Sequence, residues 1–140
     1  MEKLTQKAKE LLLSGQNTCV ICRENEVFES TERGVKPLLE FLDSKTDLKD
    51  ACAADKVVGA GAAFLYVLLG VREVYALVLS ERAKAVLEEN GVSVVFETLV
   101  SKIENRAKNG FCPIETAVWE QTEPAAALTK IRQSLESLTK

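Results

Sequence analysis

Four groups of residues in this chain have the types and spacing that chemistry asks for. Cys19 and Cys22 form a C-x-x-C pair. Asp55 and Lys56 set a carboxylate beside an ammonium, just ahead of the glycine-bearing run Gly59-Ala60-Gly61. Ser80 stands between an apolar run and a charged one. Cys112 precedes Pro113, with Glu115 three residues after the thiol. The chain has no histidine, so Ser-His-Asp triads, Cys-His dyads and every His-containing metal site lie outside its repertoire.

Each group has a plainer alternative. Residues three apart on a strand point to opposite faces, and no second cysteine pair lies near Cys19 and Cys22, so they read as small apolar strand residues. The run Gly59 to Phe64, with Glu81 some way on, imitates a dinucleotide fingerprint. Its third glycine is missing, Asp55 and Lys56 interrupt the supposed strand before it, and the stretch to Gly70 looks too short for the usual crossover helix. A thiol at the first turn of a helix gains acidity from the helix dipole, but Cys112 has no base to take its proton, and Glu115 is placed to close a capping box there. Asp55 and Lys56 offer the most interesting pair. At a helix start they would hold a polar ligand, and a desolvated lysine can act as a base; a simple N-cap with a solvated neighbour is the competing reading. Arg106, in the polar stretch from Asn105 to Gly110, would add an anion contact.

The elements that position these groups follow from periodicity. Leu4, Ala8, Leu11 and Leu12 fall on one helical face that stops at Ser14-Gly15. The run from Thr18 to Arg23 reads as a strand, and Val27 to Ser30 returns after a turn at Glu24-Asn25-Glu26, giving a hairpin. Pro37 suits the first turn of a helix carrying Leu38, Leu39, Phe41 and Leu42. A short strand is expected at Ala51 to Ala54, then a helix opened by Asp55-Lys56 and ending near Gly70, apolar on nearly all sides and therefore central. Glu73 to Leu79 is the clearest strand. Ser80 caps the next helix, which Asn90-Gly91 ends, and Val92 to Phe96 is a strand. Helices are expected over Leu99 to Arg106, from Cys112 to Trp119, and after Pro124 with Leu128, Ile131, Leu135 and Leu138 on one face. This order predicts one α/β domain over residues 1–140, a three-layer α/β/α sandwich on a mixed sheet of four to five strands.

Composition narrows the function classes. The net charge is -3, from 18 basic and 21 acidic residues mixed along the chain, so the broad basic face of a nucleic-acid binder is not expected. The amino terminus lacks the basic-then-apolar pattern of a secretory signal. The longest uncharged run, Val57 to Val71, is short and glycine-rich against the roughly 20 apolar residues a membrane span needs. A soluble, cytoplasmic protein without a membrane partner is the expectation.

Four stretches carry a resemblance to a known family: Glu32 to Leu39 (ERGVKPLL), Ala54 to Gly59 (ADKVVG), Arg72 to Tyr75 (REVY) and Asn105 to Glu115 (NRAKNGFCPIE). In these, and over nearly its whole length, the chain resembles a bacterial family of uncharacterised proteins, domain of unknown function eighteen ninety-three, whose fold is similar to cytidine deaminase. The resemblance implies a deaminase-like sandwich. Zinc deaminases place His-x-Glu or Cys-x-Glu at the start of the core helix and Pro-Cys-x-x-Cys at the next helix start. The positions that look equivalent here are Ala54-Asp55-Lys56 and Leu79-Ser80-Glu81-Arg82-Ala83, which supply none of those ligands. No metal or other cofactor is expected, and a zinc-dependent deaminase is excluded.

The leading expectation is a binding module for a small polar or anionic ligand such as a nucleotide or phosphorylated metabolite. Its rim would comprise Ser30, Arg33, Asp55, Lys56, Ser80, Arg106, Cys112 and Glu115. The second is a metal-independent enzyme that uses Lys56 with Asp55, or Cys112 as nucleophile. The third is a homo-oligomerisation domain that associates through its apolar core helix.

Overall fold

The computed structural model of the protein describes residues 1–32, 34–105 and 110–139. Its centre is a five-stranded sheet. Strand β1 (Cys19–Arg23) and strand β2 (Glu26–Ser30) form the expected hairpin, Cys19 opposite Ser30. Strand β3 (Cys52–Val58) runs antiparallel to β1 on its other side, with Cys19 opposite Asp55. Strands β4 (Glu73–Ser80) and β5 (Ser93–Val100) continue the sheet parallel to β3, so the order is β2-β1-β3-β4-β5.

Parallel neighbours need a crossover. Helix α3 (Ala60–Leu69) provides it between β3 and β4, and helix α4 (Glu81–Glu89) between β4 and β5. Helix α1 (Lys3–Leu13) covers the opposite face, where Ala8 and Leu12 pack on Val20, Cys22, Ala54 and Tyr75. Helices α2 (Lys36–Asp43), α5 (Pro113–Val118) and α6 (Pro124–Thr139) join α3 and α4 over the larger core. The architecture is the three-layer α/β/α sandwich the sequence implies. Among the described residues no helix is long and apolar enough to cross a membrane.

Two elements differ from expectation. Asp55 and Lys56 do not open a helix: they lie inside β3, which runs on through Val57 and Val58 to end at Gly59. The ladder to β4, from Cys52 on Glu73 to Val58 on Leu79, overrides the local signal of a charged pair. The β-strand, glycine, helix, strand unit is therefore genuine, and ten helical residues suffice for its crossover. Nor does Leu99 begin a helix. β5 extends to Val100 because Leu79 and Ser80 pair with Leu99 and Val100. The chain then runs irregularly to a bridge between Glu104 and Phe111; the rest of the expected helix, Arg106, lies outside the described residues.

Helix α3 is the buried hub. All its residues except Val67 and Leu68 are buried, under α2, α4, α5, α6 and the sheet. Its neighbours within the chain leave only Val67 and Leu68 of this helix partly exposed. Gly61 explains part of the closeness: a Cβ there would stand 2.6 Å from Cγ2 of Ile114 on α5. Gly59 is similar, with Ile103 Cγ1 at 3.0 Å and Glu115 Oε2 at 3.1 Å from the same imagined atom. The glycines that imitate a dinucleotide loop are thus filled by the protein's own carboxy-terminal third.

This packing yields a prediction. Within a helix, Gly→Ala normally stabilises by about 1 kcal/mol. Gly61→Ala is expected instead to destabilise the protein by about 1–3 kcal/mol, the cost of overpacking. Ile114→Val in the same chain removes a methyl from that contact and should recover part of the loss. Urea unfolding of the two variants and the parent measures it.

Candidate functional site

The carboxyl ends of β3 and β4 place the starts of α3 and α4 side by side. Each start leaves backbone N–H groups without helical partners, and together they favour negative charge. Ser80 meets part of the need as the α4 cap, its Oγ accepting from the Ala83 N–H at 3.1 Å. Glu115 meets a further part. Its Oε2 accepts the Ala60 N–H at 2.6 Å and the Ser80 hydroxyl at 2.5 Å, while Oε1 accepts the Ile103 N–H at 2.7 Å. The residue is 2% exposed. One buried carboxylate therefore bridges two helix starts and the segment after β5.

The strap that delivers Glu115 is held at several points. The Cys112 N–H donates to the Ile103 carbonyl at 2.8 Å. Beyond α5, the Arg82 guanidinium on α4 donates through Nε to the Trp119 carbonyl at 3.0 Å and through Nη2 to the Gln121 carbonyl at 2.5 Å. The Lys102 ammonium lies 4.4 Å from the centre of the Trp119 ring and 5.0 Å from that of Phe111, which fastens the segment after β5 to the end of α5.

A second buried acid behaves differently. Asp55 projects from β3 into the larger core, where Tyr66 of α3 donates its hydroxyl to Oδ2 at 2.7 Å and the Val57 N–H reaches Oδ1 at 3.3 Å. The Tyr66 hydroxyl also lies 3.3 Å from the Cys19 sulfur. Burial pushes the Asp55 carboxyl up to about 7, with the bonds from Tyr66 and the backbone pulling the other way. Burial likewise raises the Cys19 thiol, aided by the Asp55 charge, and it raises the Tyr66 phenol. Neither thiol nor phenol is poised to ionise near neutrality.

Of the residues expected on a ligand rim, the structure brings together Ser80 and Glu115, and it places Cys112 on the same short element as Glu115. The remaining candidates take other roles. The expected capping box is absent, because Glu115 turns away from the Cys112 N–H and toward α3 and α4. Cys112 is half-buried and makes no side-chain cap. Asp55 and Lys56, as strand neighbours, point to opposite faces and share no pocket; Lys56 is half-buried within β3 rather than at a helix start. Ser30 Oγ accepts the Glu32 N–H at 3.1 Å and serves its own turn. Arg33 and Arg106 lie outside the described residues. Two shallow depressions, of about 160 and 290 Å³, lie at the other end of the sheet around Lys49, and none of the expected rim residues lines them. Among the described residues no group of three or more Cys, Asp or Glu side chains is placed to hold a metal ion.

Sequence reasoning missed Tyr66 and Glu73. Tyr66 sat in an apolar helix, and its spacing from Asp55 carried no signal while Asp55 was read as helical. Glu73 opens β4 and is 5% exposed. Its carboxylate accepts the Glu2 N–H at the start of α1 at 2.9 Å and the Ser93 hydroxyl at 3.0 Å. Burial pushes its carboxyl up, but the bonds from the Glu2 backbone and Ser93, with the nearby Thr5 side chain and the amino-terminal charge, outweigh that and hold it below the usual range.

This geometry defines an α/β/α domain whose strand ends are closed by an internal carboxylate. The chain belongs to the family described as Domain of unknown function (DUF1893), whose profile matches residues 7–135. It is similar to a DUF1893 family protein (TM1506) from Thermotoga maritima, known from its crystal structure, at 25% sequence identity and a TM-score of 0.84; the match covers 98% of this chain and 92% of that one. No curated protein matches the chain.

Asp55 gives the domain a specific pH response. Its ordinary value is 3.8 and its folded one about 7, so between those limits the unfolded chain releases a proton that the folded one keeps. The stabilisation is complete below about pH 4, declines as pH rises, and is gone once pH passes about 7. At about 1.4 kcal/mol per unit, the loss is a few kcal/mol. Asp55→Asn should flatten this part of the profile; denaturant unfolding of both proteins at stepped pH, compared as a difference, reads it directly.

Proposed function

We propose that the protein is a metal-free binding domain of cytidine deaminase-like fold, and that its ligand is a small anion, a carboxylate or phosphate group, received at the paired starts of α3 and α4. The observation that carries this reading is the Glu115 carboxylate, bonded to the Ala60 N–H and the Ser80 hydroxyl at that junction. Converging helix starts are an anion site, and here a side chain fills it. The strand order and the consecutive β3-α3-β4-α4 crossovers support the fold assignment. Zinc deaminases hold their metal at the two helix starts that follow such strands. Here those starts read Gly59-Ala60-Gly61 and Ser80-Glu81-Arg82, with no Cys or His among them, and the one buried carboxylate is already bonded by three donors. Those residues do not fit zinc, and the correct first counterpart is Gly59-Ala60-Gly61 rather than Ala54-Asp55-Lys56.

In this reading the resting domain is closed. A ligand anion takes the place of the Glu115 carboxylate on the Ala60 N–H and the Ser80 hydroxyl, and the Ile103 segment moves with it. A cytoplasmic setting, with its pool of phosphorylated metabolites, suits such a ligand. An enzyme working through Cys112 or through Asp55 with Lys56 gains no support, since those groups share no cavity.

Glu115→Ala tests the site. Removing the carboxylate strands three buried donors, so a loss of about 3–5 kcal/mol is expected. Formate, acetate or inorganic phosphate should restore melting temperature to this variant at low concentration and raise that of the parent only at higher concentration, where the anion must displace the carboxylate, as read by scanning fluorimetry against chloride at matched ionic strength. A variant that gains nothing from any of these anions overturns the proposal.

A further inference from the structure

The C-x-x-C spacing of Cys19 and Cys22 does not survive folding as a pair. Cys19 lies in the larger core beside Tyr66, and Cys22 in the smaller one under α1. The sheet gives Cys22 another partner: Cys52 of β3 stands directly opposite it in the antiparallel ladder. Opposed residues share a face of the sheet, with Cα atoms about 4.5–5.5 Å apart. That separation falls inside the roughly 4.4–6.8 Å a disulfide spans. Both cysteines are free, and both are fully buried. Arg72, just before β4, donates from Nη2 to the Cys52 sulfur at 4.0 Å. It also lines the depression of about 290 Å³ at this end of the sheet, with Arg23, the residue after Cys22, and Asp50, two before Cys52. The depression thus reaches the chain on either side of the pair.

From this we infer that Cys22 and Cys52 form a redox switch, closed to a cross-strand disulfide by hydrogen peroxide and reopened by a dithiol. Cys52, the sulfur that faces Arg72, reacts first. Its thiolate attacks one peroxide oxygen and the O–O bond breaks; the departing hydroxide takes up the thiol's proton as water, leaving a sulfenic acid. The Cys22 sulfur then attacks the sulfenic sulfur, the S–O bond breaks, and the hydroxyl leaves with the Cys22 proton as a second water. Two thiols and one peroxide so become one disulfide and two waters. Burial raises the Cys22 thiol, Lys7 pulls it down, and Cys52 and Glu29 push it up again, which leaves the first attack to its partner. A dithiol reverses the bond, oxidising itself to a disulfide while both cysteines regain their protons. Closed, the bond ties β1 to β3, the seam where the hairpin meets the parallel strands, and shuts the loop that carries β2 and α2.

Peroxide treatment of the full chain, alkylation of the remaining thiols and peptide mapping by mass spectrometry test the switch. The chain should lose the mass of two hydrogens, and one linked peptide should join Cys22 to Cys52. Melting temperature should rise by about 5–10 °C and fall back with dithiothreitol. Cys22→Ala should abolish the link and the rise, and leave on Cys52 a sulfenic acid that dimedone captures. Should that variant fail to fold, the map of the parent chain decides. Four alkylated cysteines after peroxide overturn the inference. So does a link through Cys19 or Cys112, oxygen fixed on Cys22 or Cys52 without a link, or a linked chain that melts no higher than the reduced one.

Discussion

The Glu115 carboxylate is the junction through which the two halves of the molecule are joined. The first hundred residues build the sheet and the two crossovers, which aim the starts of α3 and α4 at one point. Left alone, that point would expose unpaired N–H groups beneath an apolar helix, and burial without partners costs each group about 1–3 kcal/mol. Glu115 returns from a position thirty-five residues beyond Ser80 to take the first N–H of α3 and the hydroxyl that caps α4, and its second oxygen fixes the Ile103 segment. The rest of the strap follows from that anchor. Ile114, next to it, must lie on Gly61, and Arg82 can reach the carbonyls at the end of α5 only when α5 sits there.

The same solution recurs at the opposite end of the sheet. Glu73 lies at the start of β4 and takes the Glu2 N–H at the amino end of α1, so a buried carboxylate again serves a helix start that has no capping side chain of its own. Ser93 adds a donor, and the carboxyl is held below the usual carboxylate range. Neither glutamate is a local cap. Each comes from a different element, so it ties together parts of the chain far apart in sequence, which a capping box within one helix does not do.

How much of this could be read from the sequence depends on the range of the interaction. The hairpin, β4, the Ser80 cap and the Asn90-Gly91 stop are set by neighbours within a few residues, and the structure keeps all four. Gly91 adopts the left-handed backbone, φ 76°, that such a stop calls for. Asp55-Lys56 and Leu99-Val100 were misread because the deciding partner, β4, is far along the chain: a charged pair resembles a cap, and a Leu-Val run resembles a helix face, until the ladder beside them is known. Glu115 was legible as a rim residue but not as the group that fills the rim. A glutamate two residues after a proline fits a capping box by every local rule, and only the approach of α3 redirects it.

Asp55 shows what the glutamates avoid. It is buried as they are, yet its donors are the Tyr66 hydroxyl and the backbone of its own strand, where Glu115 takes three short bonds from three separate segments. Transfer of a carboxylate from water is repaid only when donors fill its lone pairs. The two glutamates, whose donors come from other elements, hold those elements together. Asp55, whose burial outweighs its donors, keeps its proton to about neutral pH and, on ionising, puts a charge among Cys19, Tyr66 and the apolar core. Because β3 sits where the antiparallel hairpin meets the parallel strands, that charge falls on the strand shared by both halves of the sheet. That core therefore responds to proton concentration through a residue on β3, a few positions before the Glu115 junction at Gly59.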